Sequence, residues 1–159
     1  PPMFLFGSRG KKLTRELVAK NGMFSANLVT ADMMYMADYF GTTSGRDKNK
    51  SKEIDVKFVE GSTLHVPVLD ASPWVYECSL VDTISLGDGY VYIGEIQNIL
   101  ADESIKDTGY GKIDMDIIDP LVYAPGHYYK ITREIGTVGC AKAEQADWAG
   151  KVTFVKRHN

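Results

Sequence analysis

Hydrophobic and polar residues alternate along much of this chain with the period of two that is typical of β-strands. The turn Gly87-Asp88-Gly89 separates two long alternating segments and is the clearest hairpin signal. A second hairpin is predicted around Ala124-Pro-Gly126. Strands are predicted over residues 2–7, 23–29, 55–59, 74–85, 90–100, 121–123 and 127–131.

Three shorter segments have helical patterns. A helix over 15–21 is predicted, with Thr14 as its N-cap and Gly22 at its end. A second helix, over 31–40, has Thr30 as its predicted N-cap and is followed by Gly41, and a short third helix is predicted over 141–148. The connecting residues 41–53 form a polar loop, and the acidic residues 102–119 are interpreted as an exposed excursion. Many short strands with isolated helices predict a mainly β protein, a β-barrel with helical additions.

Length and composition describe an ordinary globular protein. The chain has 159 residues, of which 44% are hydrophobic and 25% charged, so one domain is expected. No apolar run is long enough to span a membrane, and no signal peptide is evident, so a cytoplasmic protein without membrane contact is expected. Cys78 and Cys140 lie far apart in sequence and have no neighbouring metal ligands, which favours two reduced, buried thiols over a disulfide.

Positive charge is concentrated in two loops. Residues 9–15 and 46–52 contain eight of the eighteen Lys and Arg residues of a chain whose net charge is −3. Backbone N–H groups at a helix start are unpaired and bind anions readily, so the first loop is a candidate phosphate site. A solvated basic turn is the alternative. Local positive charge on an acidic protein favours a small anionic ligand over nucleic acid.

Four segments resemble those of one known family. Residues 37–47, Ala-Asp-Tyr-Phe-Gly-Thr-Thr-Ser-Gly-Arg-Asp, are similar to a signature of the flavin reductase-like, FMN-binding split-barrel proteins, which include flavoredoxins. Residues 1–14, residues 77–95 and residues 119–123 with Tyr128-Tyr129 resemble further segments of the family in the same order. The resemblance covers most of residues 1–131. It implies a six-stranded split β-barrel that works as a homodimer, with FMN near the subunit interface.

The resemblance also assigns site residues. It implies that the FMN phosphate is held by the first cationic loop, with a further cationic contact after the Ser-Gly-Arg segment and an aromatic residue near the flavin. A histidine after the second hairpin turn is a candidate for contact with the flavin or with a nicotinamide. These candidates are Arg9, Lys11, Lys12, Thr14, Ser44, Gly45, Arg46, Lys50, Tyr123 and His127. Arg46 has the alternative of pairing with Asp38 or Asp47. The alternative for Tyr123 is packing within its strand, and the alternative for His127 is a surface position. Tyr39 and Phe40 are interpreted as packing residues of their helix.

The chain departs from the family pattern in two places. Gly89-Tyr90 stands where many flavoredoxin-like members have a histidine. A chain of this length suffices for one domain, yet the resemblance implies that the domain extends about forty residues upstream of Pro1. That upstream segment contacts flavin and phosphate in the family.

Three functions follow as hypotheses. The first is an NAD(P)H-dependent flavin reductase, with NADH or NADPH as co-substrate. The second is a flavoredoxin-type carrier that exchanges electrons with a partner protein, and the third is a dimeric barrel that has lost its flavin. Neither of the first two requires a catalytic side chain, because a flavin carries the redox chemistry itself. No Gly-x-Gly-x-x-Gly turn is present, which excludes a Rossmann nucleotide domain, and no metal site is predicted.

Overall fold

The computed structural model describes residues 1–105, 114–133 and 135–136. A four-stranded antiparallel sheet dominates them, with the strand order β1-β6-β5-β2. Two two-stranded hairpins, β3-β4 and β7-β8, complete the strands. The strands are β1 (Met3–Arg9), β2 (Met23–Asn27), β3 (Phe58–Glu60), β4 (Pro67–Leu69), β5 (Trp74–Leu86), β6 (Gly89–Ala101), β7 (Leu121–Ala124) and β8 (His127–Lys130).

Within the described ranges, four short α-helices connect the strands, with 3₁₀ turns at Ala31–Met33 and Glu103–Ile105. The helices are α1 (Leu13–Asn21), α2 (Met34–Thr42), α3 (Lys50–Glu53) and α4 (Met115–Ile118). Gly22 ends α1 as predicted: its φ of 66° is left-handed, and its N–H donates to the Val18 carbonyl at 2.9 Å. None of the helices in the described residues has the length and hydropathy that a membrane span requires.

The long β5-β6 hairpin curls. Its register shifts between Glu77 and Cys78 and again between Leu80 and Asp82. Each extra residue bends its strand and increases the local twist, so the four-stranded sheet curves into half of a barrel. On one face, the ring of Phe6 stacks on Tyr92 at 4.9 Å and meets Phe24 edge-on at 5.1 Å.

A second apolar cluster lies under the β3-β4 hairpin. Val66, Val68 and Val75 are buried together, and Leu100 packs against them. The fully buried side chain of Glu77 adjoins this region and accepts hydrogen bonds from the loop between β3 and β4. This hairpin is therefore held on the main sheet by apolar packing and by one buried carboxylate.

Several predicted boundaries were wrong. Lys12, not Thr14, precedes α1, and it makes no side-chain capping bond. Thr30 precedes a 3₁₀ turn, and its hydroxyl donates to Asp32 rather than capping a helix. The predicted loop 41–53 contains the end of α2 and all of α3, and β4 was missed. The acidic excursion is not wholly exposed, because Ile105 and Ile118 are buried at its edges. The predicted helix over 141–148 lies outside the described residues.

Candidate functional site

A groove lies between the β1-α1 turn and the segment that joins α2 to α3. It has two adjoining parts, which we call the phosphate lobe, of about 540 Å³, and the aromatic lobe, of about 620 Å³. The residues that line both lobes are Leu13, Leu17, Phe40, Gly45, Arg46 and Lys50.

The phosphate lobe opens at the start of α1. Gly10 adopts a left-handed φ of 66°, and its N–H donates to the Asp88 carbonyl at 3.1 Å. This turn brings the chain from β1 directly into α1. No side chain caps the start of α1, so no capping side chain accepts a hydrogen bond from its first-turn N–H groups. The Arg15 N–H donates to the Lys12 carbonyl at 3.2 Å, so an anion in this lobe would meet the free N–H groups of Leu13 and Thr14 and the positive end of the helix dipole.

Five cationic residues line the phosphate lobe: Arg9, Lys11, Lys12, Arg46 and Lys50. Two of them already have carboxylate partners. Arg9 contacts Asp88 at 3.2 Å, and both side chains are largely exposed. Arg46 pairs with Glu16, and this hydrogen bond lowers the pKa of the Glu16 carboxyl. The alternatives of Asp38 and Asp47 as partners of Arg46 were thus wrong. Lys11 and Lys12 have no ion pair within the part of the chain that the structure describes.

Lys50 is held differently from the other cations. Its half-buried ammonium donates to the Phe40 and Thr43 carbonyls, both at 2.7 Å, and lies 5.1 Å from the Phe40 ring centre. Burial lowers the pKa of Lys50, and the neighbouring charge of Lys12 lowers it further. Lys50 is therefore a positioned cation that an added negative charge would stabilise.

The segment that carries Lys50 is fastened to α2. The Tyr39 hydroxyl donates to the Glu53 carboxylate, which also lies 3.4 Å from the Lys48 ammonium. The hydrogen bond from Tyr39 is the largest cause that lowers the pKa of Glu53. Gly45 lets this segment lie close to α1, because a Cβ at Gly45 would be 3.3 Å from the Leu13 side chain. The segment that joins α2 to α3 is thus held in place along its side of the groove.

The aromatic lobe has an apolar floor and a polar rim. The rings of Phe40 and Phe58 lie 6.3 Å apart on its floor, and Phe58 remains 41% exposed. Asp47, Asn49 and Ser51 supply polar groups at its rim. This lobe therefore offers two aromatic rings, tilted by 54° to each other, bordered by hydrogen-bonding groups.

Eight of the ten predicted site residues meet in the phosphate lobe. They are Arg9, Lys11, Lys12, Thr14, Ser44, Gly45, Arg46 and Lys50. Tyr123 and His127 do not line the groove; they belong to the β7-β8 hairpin, where Tyr123 contacts Tyr128. This hairpin is tied to α2, because the Tyr128 hydroxyl donates to Asp38 at 3.0 Å.

Sequence reasoning missed the apolar part of the groove. Leu13, Leu17 and Phe58 line it without any motif of their own. A usable signal existed for the first two, since both lie on the helix that follows the cationic turn. Phe58 comes to the groove only through tertiary packing, which no local pattern encodes.

Comparison with known proteins assigns the family. The sequence profile of the flavin reductase-like domain matches residues 1–132. The chain belongs to the flavin reductase-like family. A curated relative, an uncharacterised protein of Aeropyrum pernix, is 26% identical over 137 residues. That match includes 82% of this chain but 51% of the relative, so the chain spans about half the length of that protein.

Two solved flavoredoxins share the fold of this family member. Flavoredoxin from Methanosarcina acetivorans has a TM-score of 0.80 and 27% identity, with 90% of this chain and 76% of that chain covered. Flavoredoxin of Desulfovibrio vulgaris has a TM-score of 0.80 and 26% identity, with 89% and 76% covered. The prediction of a mainly β split-barrel fold is thereby confirmed. Within the described residues its strands form one four-stranded sheet and two hairpins.

Proposed function

We propose that this chain is the FMN-binding part of a flavin-dependent oxidoreductase, with the FMN phosphate in the phosphate lobe. The observation that carries the proposal is the uncapped start of α1, which opens into a groove lined by five cationic residues. A phosphate monoester needs its charge neutralised and its oxygens hydrogen-bonded, and this lobe offers both. Membership of the flavin reductase-like family supports the choice of a flavin as the phosphate ester.

Each residue of the lobe has a distinct part in this proposal. Lys11 and Lys12 are free of ion pairs in the described part of the chain, so they can neutralise the phosphate without losing a partner. Arg9 can exchange its exposed contact with Asp88 for a phosphate oxygen. Thr14, in the first turn of α1, adds a hydroxyl donor, and Lys50 adds a positioned cation. The Ser44 hydroxyl already accepts from the Arg46 N–H at 3.2 Å and holds that turn in shape.

A bound FMN would supply the redox chemistry, and the protein would set its position and its access to donors. We propose NADH or NADPH as the electron donor, which makes the protein a flavin reductase. Electron transfer from a partner protein is the second candidate, favoured by the likeness to two flavoredoxins at a TM-score of 0.80. Steady-state oxidation of NADH or NADPH in the presence of free FMN separates the two. Activity with neither nucleotide would contradict the reductase, and a purified protein without flavin absorbance would favour the third hypothesis, a barrel without cofactor.

The phosphate assignment has a direct test. Replacement of both Arg9 and Lys11 by Ala removes two charge-assisted contacts and should weaken FMN binding by about 2–4 kcal/mol. The matched control replaces Lys20 and Lys52, two lysines that do not line the groove. It should leave the affinity within about twofold, since solvent screens surface charges that make no contact in the groove. Equal affinity of both double variants for FMN in calorimetric titration would place the phosphate elsewhere.

We also propose that the protein is a homodimer that associates through the sheet face opposite the Phe6 ring. The strand register places Leu5 beside Ile93 and Ile84 beside Val91 on that face. Leu5 is 58% exposed and Ile84 45% exposed. An exposed apolar sheet face of this kind is typical of an interface. Light scattering should give twice the monomer mass, and replacement of Leu5 by Asp should reduce it.

A cytoplasmic location is part of the proposal. Cys78 is a buried free thiol, which is usual in a reducing compartment. Fractionation of cells that express the natural protein tests the location, and recovery outside the cytoplasm would contradict it.

A further inference from the structure

The turn of the β5-β6 hairpin lies against the turn that opens the phosphate lobe. We call residues 87–90 the hairpin tip. The backbone carbonyl of Asp88 accepts a hydrogen bond from the Gly10 N–H at 3.1 Å, and the Asp88 carboxylate contacts Arg9 at 3.2 Å. The strand register pairs Arg9 with Gly89, where a Cβ would lie 3.2 Å from a backbone oxygen of β1. Glycine at this position therefore lets the hairpin tip lie close to the β1-α1 turn.

Tyr90, the last residue of the hairpin tip, contacts the first turn of α1. The guanidinium carbon of Arg15 lies 3.8 Å from the centre of the Tyr90 ring, a distance at which a cation is attracted to the face of an aromatic ring. Tyr90 is half-buried and pairs with Ser8 in β1, so its backbone is held by the sheet. The next residue of α1, Glu16, is bonded to Arg46 of the segment that joins α2 to α3. Two successive residues thus connect the start of α1 to the sheet and to the opposite side of the groove.

We propose that Tyr90 is a positioning residue of the phosphate lobe, which stacks on Arg15 and thereby orients the first turn of α1 toward a bound phosphate; this inference rests on the proposed function. The N–H groups that this turn offers to a phosphate are those of Leu13 and Thr14. Hydrogen bonds weaken steeply when donor and acceptor are misaligned, so the orientation of α1 decides how well these groups bind an oxygen. A turn that is already oriented also loses less conformational freedom when the ligand binds.

The effect of Tyr90 on the ligand is indirect. Within the described part of the chain, neither Tyr90 nor Arg15 lines the groove. The hydrogen bond between Gly10 and Asp88 holds the other side of the same turn and uses only backbone atoms. Arg9 can therefore leave the Asp88 carboxylate for a phosphate oxygen while the hairpin tip stays in place. The stack of Tyr90 on Arg15 can persist in the bound protein in the same way.

The first experiment compares FMN with riboflavin, which is FMN without its phosphate. Tyr90→Leu removes the stack and should weaken FMN binding about 2- to 30-fold, the range that corresponds to one cation–π contact. Riboflavin affinity should stay within about twofold, because riboflavin has no phosphate for the oriented turn to bind. Tyr90→Phe keeps the ring face and should bind FMN within about twofold of the unaltered protein. Calorimetric titration measures each affinity.

Tyr76→Leu is the matched control for the loss of a ring. Tyr76 is a half-buried tyrosine of the same sheet, its ring lies 5.8 Å from that of Phe4, and it does not line the groove. This variant should bind FMN within about twofold of the unaltered protein. Thermal unfolding without ligand shows whether Tyr90→Leu and Tyr76→Leu are folded at the temperature of the titration.

The second experiment tests whether Tyr90 acts through Arg15. Arg15→Met should weaken FMN binding but not riboflavin binding, and it keeps the test available if Tyr90→Leu does not fold. Lys20→Met is its matched control, because it removes the same charge from the last turn of the same helix and should change FMN affinity by less than about twofold. In the Arg15→Met background, Tyr90→Leu should have less than about a twofold further effect, because the ring then has no cation to hold.

Three results would overturn the inference. The first is a Tyr90→Leu or Arg15→Met variant that binds FMN as tightly as the unaltered protein. The second is an equal loss of FMN and riboflavin affinity, which would mean that Tyr90 serves only the stability of the sheet. The third is a loss in Tyr90→Leu that is the same with and without Arg15. The proposed function fails separately, through absence of FMN binding by the unaltered protein.

Discussion

The carboxylate of Glu77 occupies the space that a side chain at Gly61 would need. A Cβ at Gly61 would lie 2.8 Å from the carboxyl carbon of Glu77 and 3.1 Å from the Val66 carbonyl oxygen. Glu77 accepts hydrogen bonds from the Leu64 N–H at 2.9 Å and from the Asn98 amide at 2.7 Å. The close approach of the loop to β5 therefore depends on glycine at this position.

Gly61→Ala should destabilise the protein. The added methyl group must displace either a buried carboxylate or the backbone, and overpacking of this kind costs about 1–3 kcal/mol. Gly7→Ala is the control, because a Cβ at Gly7 has no atom within 4 Å. Urea unfolding of both variants measures the difference. Equal stability of the two would show that the loop moves away from Glu77 at no cost.

The ionisation of Glu77 should make stability depend on pH. Burial opposes the charge, but hydrogen bonds from Asn98, Leu64 and Thr63 outweigh it and lower the pKa of Glu77 from its ordinary value of 4.5. The folded state then binds fewer protons than the unfolded state just below that pH. The contribution of Glu77 is fully present above pH 4.5 and is lost as the pH falls through the lowered pKa.

Glu77→Gln isolates this contribution. The variant should lose about 1–3 kcal/mol of unfolding free energy at neutral pH, since it weakens hydrogen bonds to a charged acceptor. The difference in unfolding free energy between the variant and the unaltered protein should decrease as the pH is lowered below 4.5. Denaturant unfolding at several pH values measures this difference. A difference that is constant across that range would mean that Glu77 is not charged in the folded protein.

Local signals predicted the parts of the fold that short segments determine. The β5-β6 hairpin was predicted from Gly87-Asp88-Gly89, and the end of α1 from Gly22, because each needs only neighbouring residues. The three-residue strand β4 is too short for a periodic pattern. Its place depends on a distant contact, since the Leu69 N–H donates to the Asn27 side chain at 2.8 Å.

The same distinction applies to the groove. The cationic turn before α1 was predicted from its own residues, and the structure places all its predicted members in the phosphate lobe. The partner of Arg46 was not predicted, because Glu16 lies 30 positions away in sequence. The contacts of Lys50 with two carbonyls also depend on the end of α2, which lies at Thr42 and not at the predicted Phe40.

The thiol of Cys78 should be inert at neutral pH. It is fully buried, and burial raises its pKa to about 11, so almost no reactive thiolate forms. In a Cys140→Ser background, Ellman's reagent at pH 8 should release no thiol equivalent from the folded protein and one after denaturation. Rapid labelling of the folded variant would show that β5 opens readily at this position.

Lys50 should control the pH dependence of FMN binding. A bound phosphate favours the charged amine, so FMN affinity should fall as the pH rises through the lowered pKa of Lys50, which lies below the ordinary 10.5. Lys50→Met should weaken FMN binding about 10- to 150-fold at neutral pH, the cost of one charge-assisted contact. In the unaltered protein, FMN affinity should first fall at the pH where Lys50 loses its proton. This first fall should be absent in Lys50→Met.

Lys52→Met is the matched control for this prediction, because Lys52 lies on the same short helix but does not line the groove. It should change FMN affinity by less than about twofold and leave the pH profile as it is. Thermal unfolding of both variants without FMN separates binding from stability, since Lys50→Met also leaves the Phe40 and Thr43 carbonyls without their donor. If both variants bind FMN equally at every pH, Lys50 serves only to hold the end of α2, and the phosphate depends on the cations of the β1-α1 turn alone.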